Sequence, residues 1–243
     1  MVGLLTTGIG YAAVTGSAEA SAPTASQSQV EEGKKLYLEG CATCHGLAAQ
    51  GATDGPSLIG VGAAAVDFQV STGRMPLAVP ANQAPAKPYS YSAEEVAALA
   101  AFVASLAPGP AIPTEADLDT SEASLAEGGE LFRTNCAQCH NFAGKGGALS
   151  EGKYAPTLMD SDARIIWEAM ATGPQSMPNF PDTTMPAEQK QAIIKYIENL
   201  QSGDAPGGLA LGSFGPVTEG VFIWTAGLGA LLAAAVWIGA KVR

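Results

Sequence analysis

Cys41-Ala42-Thr43-Cys44-His45 and Cys136-Ala137-Gln138-Cys139-His140 hold every cysteine and both histidines of the 243-residue chain. The spacing C-x-x-C-H is the attachment signature of c-type haem. The two thiols add to the vinyl groups of the porphyrin as thioethers, and the adjoining imidazole reaches the iron as proximal ligand. Two rival uses of these residues fit less well. Four ligands for a structural zinc can be collected from the set, but no second half-site stands at zinc-finger spacing and the contiguous histidine has no part. A thioredoxin-like pair needs neither the histidine nor a duplicate, and belongs beside a βαβ pattern that the sequence lacks. Two covalent haems on Cys41, Cys44, Cys136 and Cys139, with His45 and His140 on the irons, leave no thiol for a disulfide.

The two motifs start 95 residues apart, at 41 and 136, and their surroundings repeat with them. Gly33 and Tyr37 stand eight and four residues before Cys41, as Gly128 and Phe132 do before Cys136. Val30–Glu39 and Leu125–Thr134 carry helical apolar spacing. After each histidine comes a glycine-rich loop, then Gly55-Pro56-Ser57-Leu58 or Ala155-Pro156-Thr157-Leu158. A short apolar helix follows, closed by Thr72-Gly73 or Thr172-Gly173, where glycine suits a helix end. Next come Met75-Pro76 and Met177-Pro178, and last an amphipathic helix, Ser92–Leu106 or Pro186–Leu200, with Phe102 and Tyr196 in equivalent places. Ser92 with Glu95 forms a capping-box pattern, and Pro186 suits a first helical turn. From first cysteine to Met-Pro the second copy is longer, 41 residues against 34.

This order of helix, C-x-x-C-H, proline loop, Met-Pro and closing helix resembles the class I cytochrome c fold in tandem, over residues 30–106 and 125–202. The predicted class is all-α: two such domains, a linker at 107–124, a second linker at 203–219 and a transmembrane helix at 220–240. The resemblance implies that first and last helices of each domain cross, with Gly33 or Gly128 against Phe102 or Tyr196. It also implies that the carbonyls of Pro56 and Pro156 accept the second N–H of His45 and His140, orienting the rings. Ala107–Ser124, with three prolines, four acidic side chains and no sustained period, reads as a solvated linker.

Both histidines being used, bis-histidine ligation is excluded within the chain, and a distal ligand comes from the six methionines or is absent. Met75 and Met177 occupy the family position. Met185 also precedes a proline, but it abuts the last helix and leaves little loop. Met159 and Met170 fit core packing, Met170 four residues after Ile166 on one helix face. His/Met ligation raises the reduction potential and closes both axial sites, so that the iron passes electrons without binding oxygen or peroxide.

Composition agrees with a membrane-held chain. Hydrophobic residues make up 47% and charged ones only 14%, below the ~25% usual in soluble domains. A net charge of −11 excludes a general nucleic-acid binder, which needs a basic face. Gly220–Ala240 runs without a charge for about 31 Å as a helix, enough to cross a hydrocarbon core. Trp224 and Trp237 sit near its ends, and Lys241 and Arg243 follow. By the positive-inside tendency the C-terminus is cytoplasmic and the haem domains lie outside the cell membrane. Met1–Ala18 is a second uncharged, apolar run. Ser17-Ala18-Glu19-Ala20 passes for a cleavage site, yet no basic segment precedes it, and a retained membrane helix within residues 1–20 is the expectation.

The whole arrangement resembles the dihaem cytochrome c subunit of the actinobacterial cytochrome bcc complex, the menaquinol–cytochrome c reductase. The stretches that carry this are Gly55–Gly62, Ser71–Pro76, Asn141–Ala148 and the C-terminal apolar run. The resemblance implies that the chain takes electrons from the Rieske iron–sulfur protein beside cytochrome b. It implies delivery to a haem-copper oxidase, with no quinol site and no independent catalysis of its own. A dihaem peroxidase needs an exchangeable distal site and further histidines. The cytochrome subunit of another dehydrogenase or oxidase is a carrier with different partners, and a non-haem metal or interaction module is the plainest alternative.

Overall fold

The computed structural model describes residues 25–203 and 216–241. The expected N-terminal membrane helix, residues 1–20, lies outside them. The first domain is built from helices α1 (Gln27–Gly40), α2 (Ala42–His45), α3 (Gly62–Ser71) and α4 (Ala93–Ala104). Its start signals are chemical. The Ser26 hydroxyl accepts from the Gln29 N–H at the head of α1. At α4, Ser92 and Glu95 satisfy each other's backbone N–H in the capping box that the sequence announces.

Helices α1 and α4 cross at Gly33. A Cβ there would collide with the Ala98 carbonyl and press on the Cβ of Phe102, so only glycine lets the two backbones meet. One turn further along, Tyr37 packs on Phe102 with ring centroids 5.2 Å apart, a tilted pair worth ~0.5–1.5 kcal/mol beyond its buried area. Leu36, Val66, Val70, Val96, Leu99 and Val103 fill the core around them.

The second domain repeats this. It comprises α6 (Leu125–Asn135), α7 (Ala137–His140), α8 (Ala163–Thr172) and α9 (Ala187–Ser202); α5 belongs to the linker and is described below. A Cβ at Gly128 would collide with the Ala192 carbonyl, and Phe132 meets Tyr196 at 5.3 Å with the same 44° tilt as the first pair. Asp162 caps α8 by accepting from the Ile165 N–H at 2.9 Å. Gly173 and Gly203, both left-handed, end α8 and α9. Pro186 sits at the N-cap of α9, one residue ahead of the first turn. The all-α expectation meets one departure. The residues inserted before Pro156 form an antiparallel pair, β1 (Gly147–Ala148) with β2 (Tyr154–Ala155), because a glycine-rich insertion turns back on itself more readily than it extends a helix.

Residues 107–124, expected as a solvated linker, hold no buried residue, but they follow an ordered path. Thr114 and Asp117 form a second capping box, which starts the short helix α5 (Glu115–Leu118). The linker lies on both domains: Ala64 N–H donates to the Pro110 carbonyl at 3.1 Å, Gln191 to the Ala116 carbonyl at 2.9 Å, and Lys195 to the Ser121 carbonyl at 3.1 Å. Ile112 packs against the first core and Leu118 against the second. Its prolines rule out a long helix but not a docked path, since the Ala64 N–H and the Gln191 and Lys195 side chains supply donors to its carbonyls.

The domains also meet directly through α3 and α8. At the C-terminus, α10 (Pro216–Phe222), a wider π turn at Ile223–Gly227 and α11 (Leu228–Lys241) run as one apolar helix. Val217–Lys241 is long and apolar enough to span a bilayer, and its apolar window is not buried among the described residues.

Candidate haem sites

Each site grows from the end of the first helix of its domain. Cys41 closes α1, its N–H donating to the Tyr37 carbonyl at 2.8 Å, and the single turn α2 carries the chain to His45. Cys136 and His140 stand in the same relation to α6 and α7, with Cys136 N–H on the Phe132 carbonyl at 2.8 Å. The loop below each histidine is pinned at matching points. Gly51 N–H donates to the His45 carbonyl at 2.8 Å and Gly146 N–H to that of His140 at 2.9 Å. Both glycines have positive φ, 88° and 83°, which lets the loop fold back against the following Pro-Ser or Pro-Thr segment.

The result is a fixed ring orientation. Nδ1 of His45 lies 2.7 Å from the Pro56 carbonyl, and Nδ1 of His140 lies 2.9 Å from that of Pro156. A carbonyl only accepts, so Nδ1 carries the proton and Nε2 keeps its lone pair. Burial lowers the pKa of His140 below its ordinary value, holding the ring neutral as a ligand must be. No disulfide joins the four cysteines.

In the second domain these groups open on a cavity of about 470 Å³, lined by Cys136, Cys139, His140, Pro156, Met177 and apolar side chains including Ile166, Ile193 and Ile197. Paired thiols, a neutral imidazole with its lone pair turned away from the carbonyl, and an apolar cavity of this size suit a haem. Met177 lines the cavity with His140, whereas Met185, 4% exposed, is packed in the core and is not among the lining residues. Met170 is buried as expected and also lines the cavity. Met159 reaches Gly144 with its methyl group. In the first domain Met75 is partly buried against the core that holds Cys41, and its N–H donates to the Gln69 carbonyl at 2.9 Å.

Sequence reasoning missed a charged cluster between the domains. Asp67 on α3 pairs with Arg164 on α8 at 2.6 Å, and the fully buried Glu168 lies against Asp67. The signal was present: Asp67 and Glu168 each interrupt a short helix whose other inward residues are apolar, a place where a carboxyl needs a partner.

Comparison with known proteins agrees with this duplicated architecture. The cytochrome c family matches residues 30–107, and the family of cytochrome c oxidase, cbb3-type, subunit III matches residues 123–197. Along nearly the whole chain, the cytochrome bc1 complex cytochrome c subunit of Corynebacterium efficiens is 44% identical, over 99% of this chain and 86% of its own length. Its counterpart in Corynebacterium diphtheriae is 45% identical, over 99% and 91%. That of Mycobacterium tuberculosis is 45% identical, over 91% and 81%. With its two cytochrome c domains and this likeness from end to end, the chain belongs to the family of cytochrome bc1 complex cytochrome c subunits.

Proposed function

We propose that the chain is the membrane-anchored dihaem electron-transfer subunit of a quinol–cytochrome c reductase, relaying electrons from a Rieske iron–sulfur protein beside cytochrome b to a haem-copper oxidase. The observation that carries this reading is the duplicated C-x-x-C-H site within a chain that matches relatives named as bc1 complex cytochrome c subunits over most of their length. When bound, each haem supplies an iron that takes up and releases one electron. Cys41 and Cys44, and Cys136 and Cys139, hold the two groups covalently. His45 with Met75, and His140 with Met177, would ligate the two irons, and a His/Met ligand set would favour electron transfer over ligand chemistry. The carbonyls of Pro56 and Pro156 keep the imidazoles oriented and basic.

The docked linker and the α3–α8 contact give the two sites a fixed separation, which a relay needs. The helix Val217–Lys241 serves as the anchor, and Lys241 and Arg243 after it favour, by the positive-inside tendency, a cytoplasmic C-terminal end with the haem domains outside. In this reading the chain is the electron carrier, and quinol oxidation belongs to the complex as a whole. The match of the second domain to an oxidase subunit family favours one other reading, a dihaem subunit of a different oxidase. Affinity purification of the tagged chain from its native membrane separates them. Co-elution of cytochrome b, a Rieske protein and a haem-copper oxidase is expected. Recovery with an oxidase but without cytochrome b and the Rieske protein would support the alternative.

A further inference from the structure

The cavity of the second domain has one wall that belongs to the first. Phe68, Thr72, Arg74 and the segment 83–86 line it from across the boundary. Two reciprocal amide clamps hold that wall in place. Gln83 Nε2 donates to the Tyr154 carbonyl at 2.6 Å, while its Oε1 accepts from the Tyr154 N–H at 3.0 Å. Gln175 Oε1 accepts from the Ala84 N–H at 3.0 Å and its Nε2 donates to the Ala84 carbonyl at 3.1 Å. The clamped residues Tyr154 and Gln175 line the same cavity, so the wall is tied at the place where it matters.

The charges of this lining are not paired with one another among the described residues. Arg74 is the sole lysine or arginine in it, and the second domain contributes the carboxyl groups of Asp160 and Asp162. The guanidinium of Arg74 stacks over the Phe68 ring at 4.8 Å. It makes no hydrogen bond or ion pair to any described residue, unlike Arg164, whose guanidinium is held by Asp67. Burial lowers the pKa of Arg74 from its ordinary value, yet an arginine stays charged at physiological pH. A half-buried cation without an anion is costly, and the two propionates are the charged groups on the edge of a c-type haem.

We propose that Arg74 is a positioning residue for the second haem, pairing with a propionate across the domain boundary, so that the first domain completes the haem site of the second. This rests on the reading of residues 125–202 as a haem domain. Arg74 immediately precedes Met75, the distal ligand proposed for the first haem. One dipeptide therefore serves both sites, its methionine turned to the first core and its arginine to the second cavity.

The intact complex carrying Arg74→Gln tests this by an EPR-monitored redox titration of the two low-spin ferric signals, with the second signal assigned as the one displaced by Met177→His. Loss of a cation stabilises ferric iron. The second haem should become more oxidised at a fixed applied potential, its Fe(II)/Fe(III) ratio falling about tenfold, equivalent to 59 mV for one electron. The first haem should move much less, and Arg74→Lys should restore most of the change. An unmoved second haem, or equal movement of both, would overturn the proposal. If Arg74→Gln does not assemble, the propionate bending mode in the resonance Raman spectrum of the Arg74→Lys complex decides. A shift in that mode at the second haem is expected, and an unaltered mode would count against the pairing. Absence of a second low-spin signal from the unsubstituted complex would overturn the haem assignment itself, and the proposal with it.

Discussion

Glu168 of the second domain meets Asp67 of the first, both buried, 0% and 4% exposed, and Arg164 pairs with Asp67 at 2.6 Å. Neither oxygen of Glu168 finds a donor among the described residues. Two carboxyl groups in this position are satisfied together when a proton lies between them. Burial first, and then Asp67, push the pKa of Glu168 up to about 10, so the junction between the haem domains is held with Glu168 protonated at neutral pH.

A dependence on pH follows. The folded chain keeps a proton that the unfolded chain releases near the ordinary carboxyl value of 4.5. The stabilisation is therefore complete below that value and is lost progressively as the pH rises towards 10. Glu168→Gln stays neutral in both states and removes this slope. Soret-detected thermal melts at pH 5 and pH 9 should show the variant gaining on the unsubstituted protein as the pH rises. Parallel profiles would mean that Glu168 is already ionised in the folded chain.

The glycine crossings give a second prediction. Gly33→Ala forces a methyl group into the Ala98 carbonyl, and Gly128→Ala does the same at Ala192. The helices must separate, loosening the Tyr37–Phe102 or Phe132–Tyr196 pair. A loss of ~1–3 kcal/mol is expected for overpacking of this kind, read as a lower denaturation midpoint in urea. An unchanged midpoint would show that the backbones do not touch there.

The distal ligand of the second haem can be assigned spectroscopically. Met177→His should lower the potential of that haem and remove one of two methionine–iron charge-transfer bands, because imidazole favours ferric iron more than a thioether does. Met185→Leu, a volume-conserving change in the core, should keep both bands. Loss of the band in the Met185 variant and its survival in the Met177 variant would transfer the role.

What the sequence made legible was local. The C-x-x-C-H pairs, the Ser92–Glu95 cap and the matched Gly33 and Gly128 depend on residues a few positions apart or repeated at fixed offsets, and such chemistry reads directly. The docked path of residues 107–124 was not legible. Proline and acidic composition describe what a segment cannot do alone, whereas its donors, Gln191 and Lys195, lie more than seventy residues further along. Arg74 was hidden for the same reason. It stands in a first-domain motif, and its place in the second cavity is set by how the domains pack. Asp67 and Glu168 could have been found, as lone carboxyl groups on the inward faces of apolar helices.

The central claim, two haems in series on one chain, is tested most directly by removing the second. In the intact complex, Cys136→Ala/Cys139→Ala, with the first domain and the anchor unchanged, should leave quinol able to reduce the first haem, as followed by rapid-mixing spectroscopy of membranes. Oxygen consumption by the same membranes, with no soluble cytochrome c supplied, should collapse, since in the proposed relay the second haem is the link through which electrons leave the first. Normal oxygen uptake in that variant would contradict the series arrangement and make the second haem a branch rather than a link.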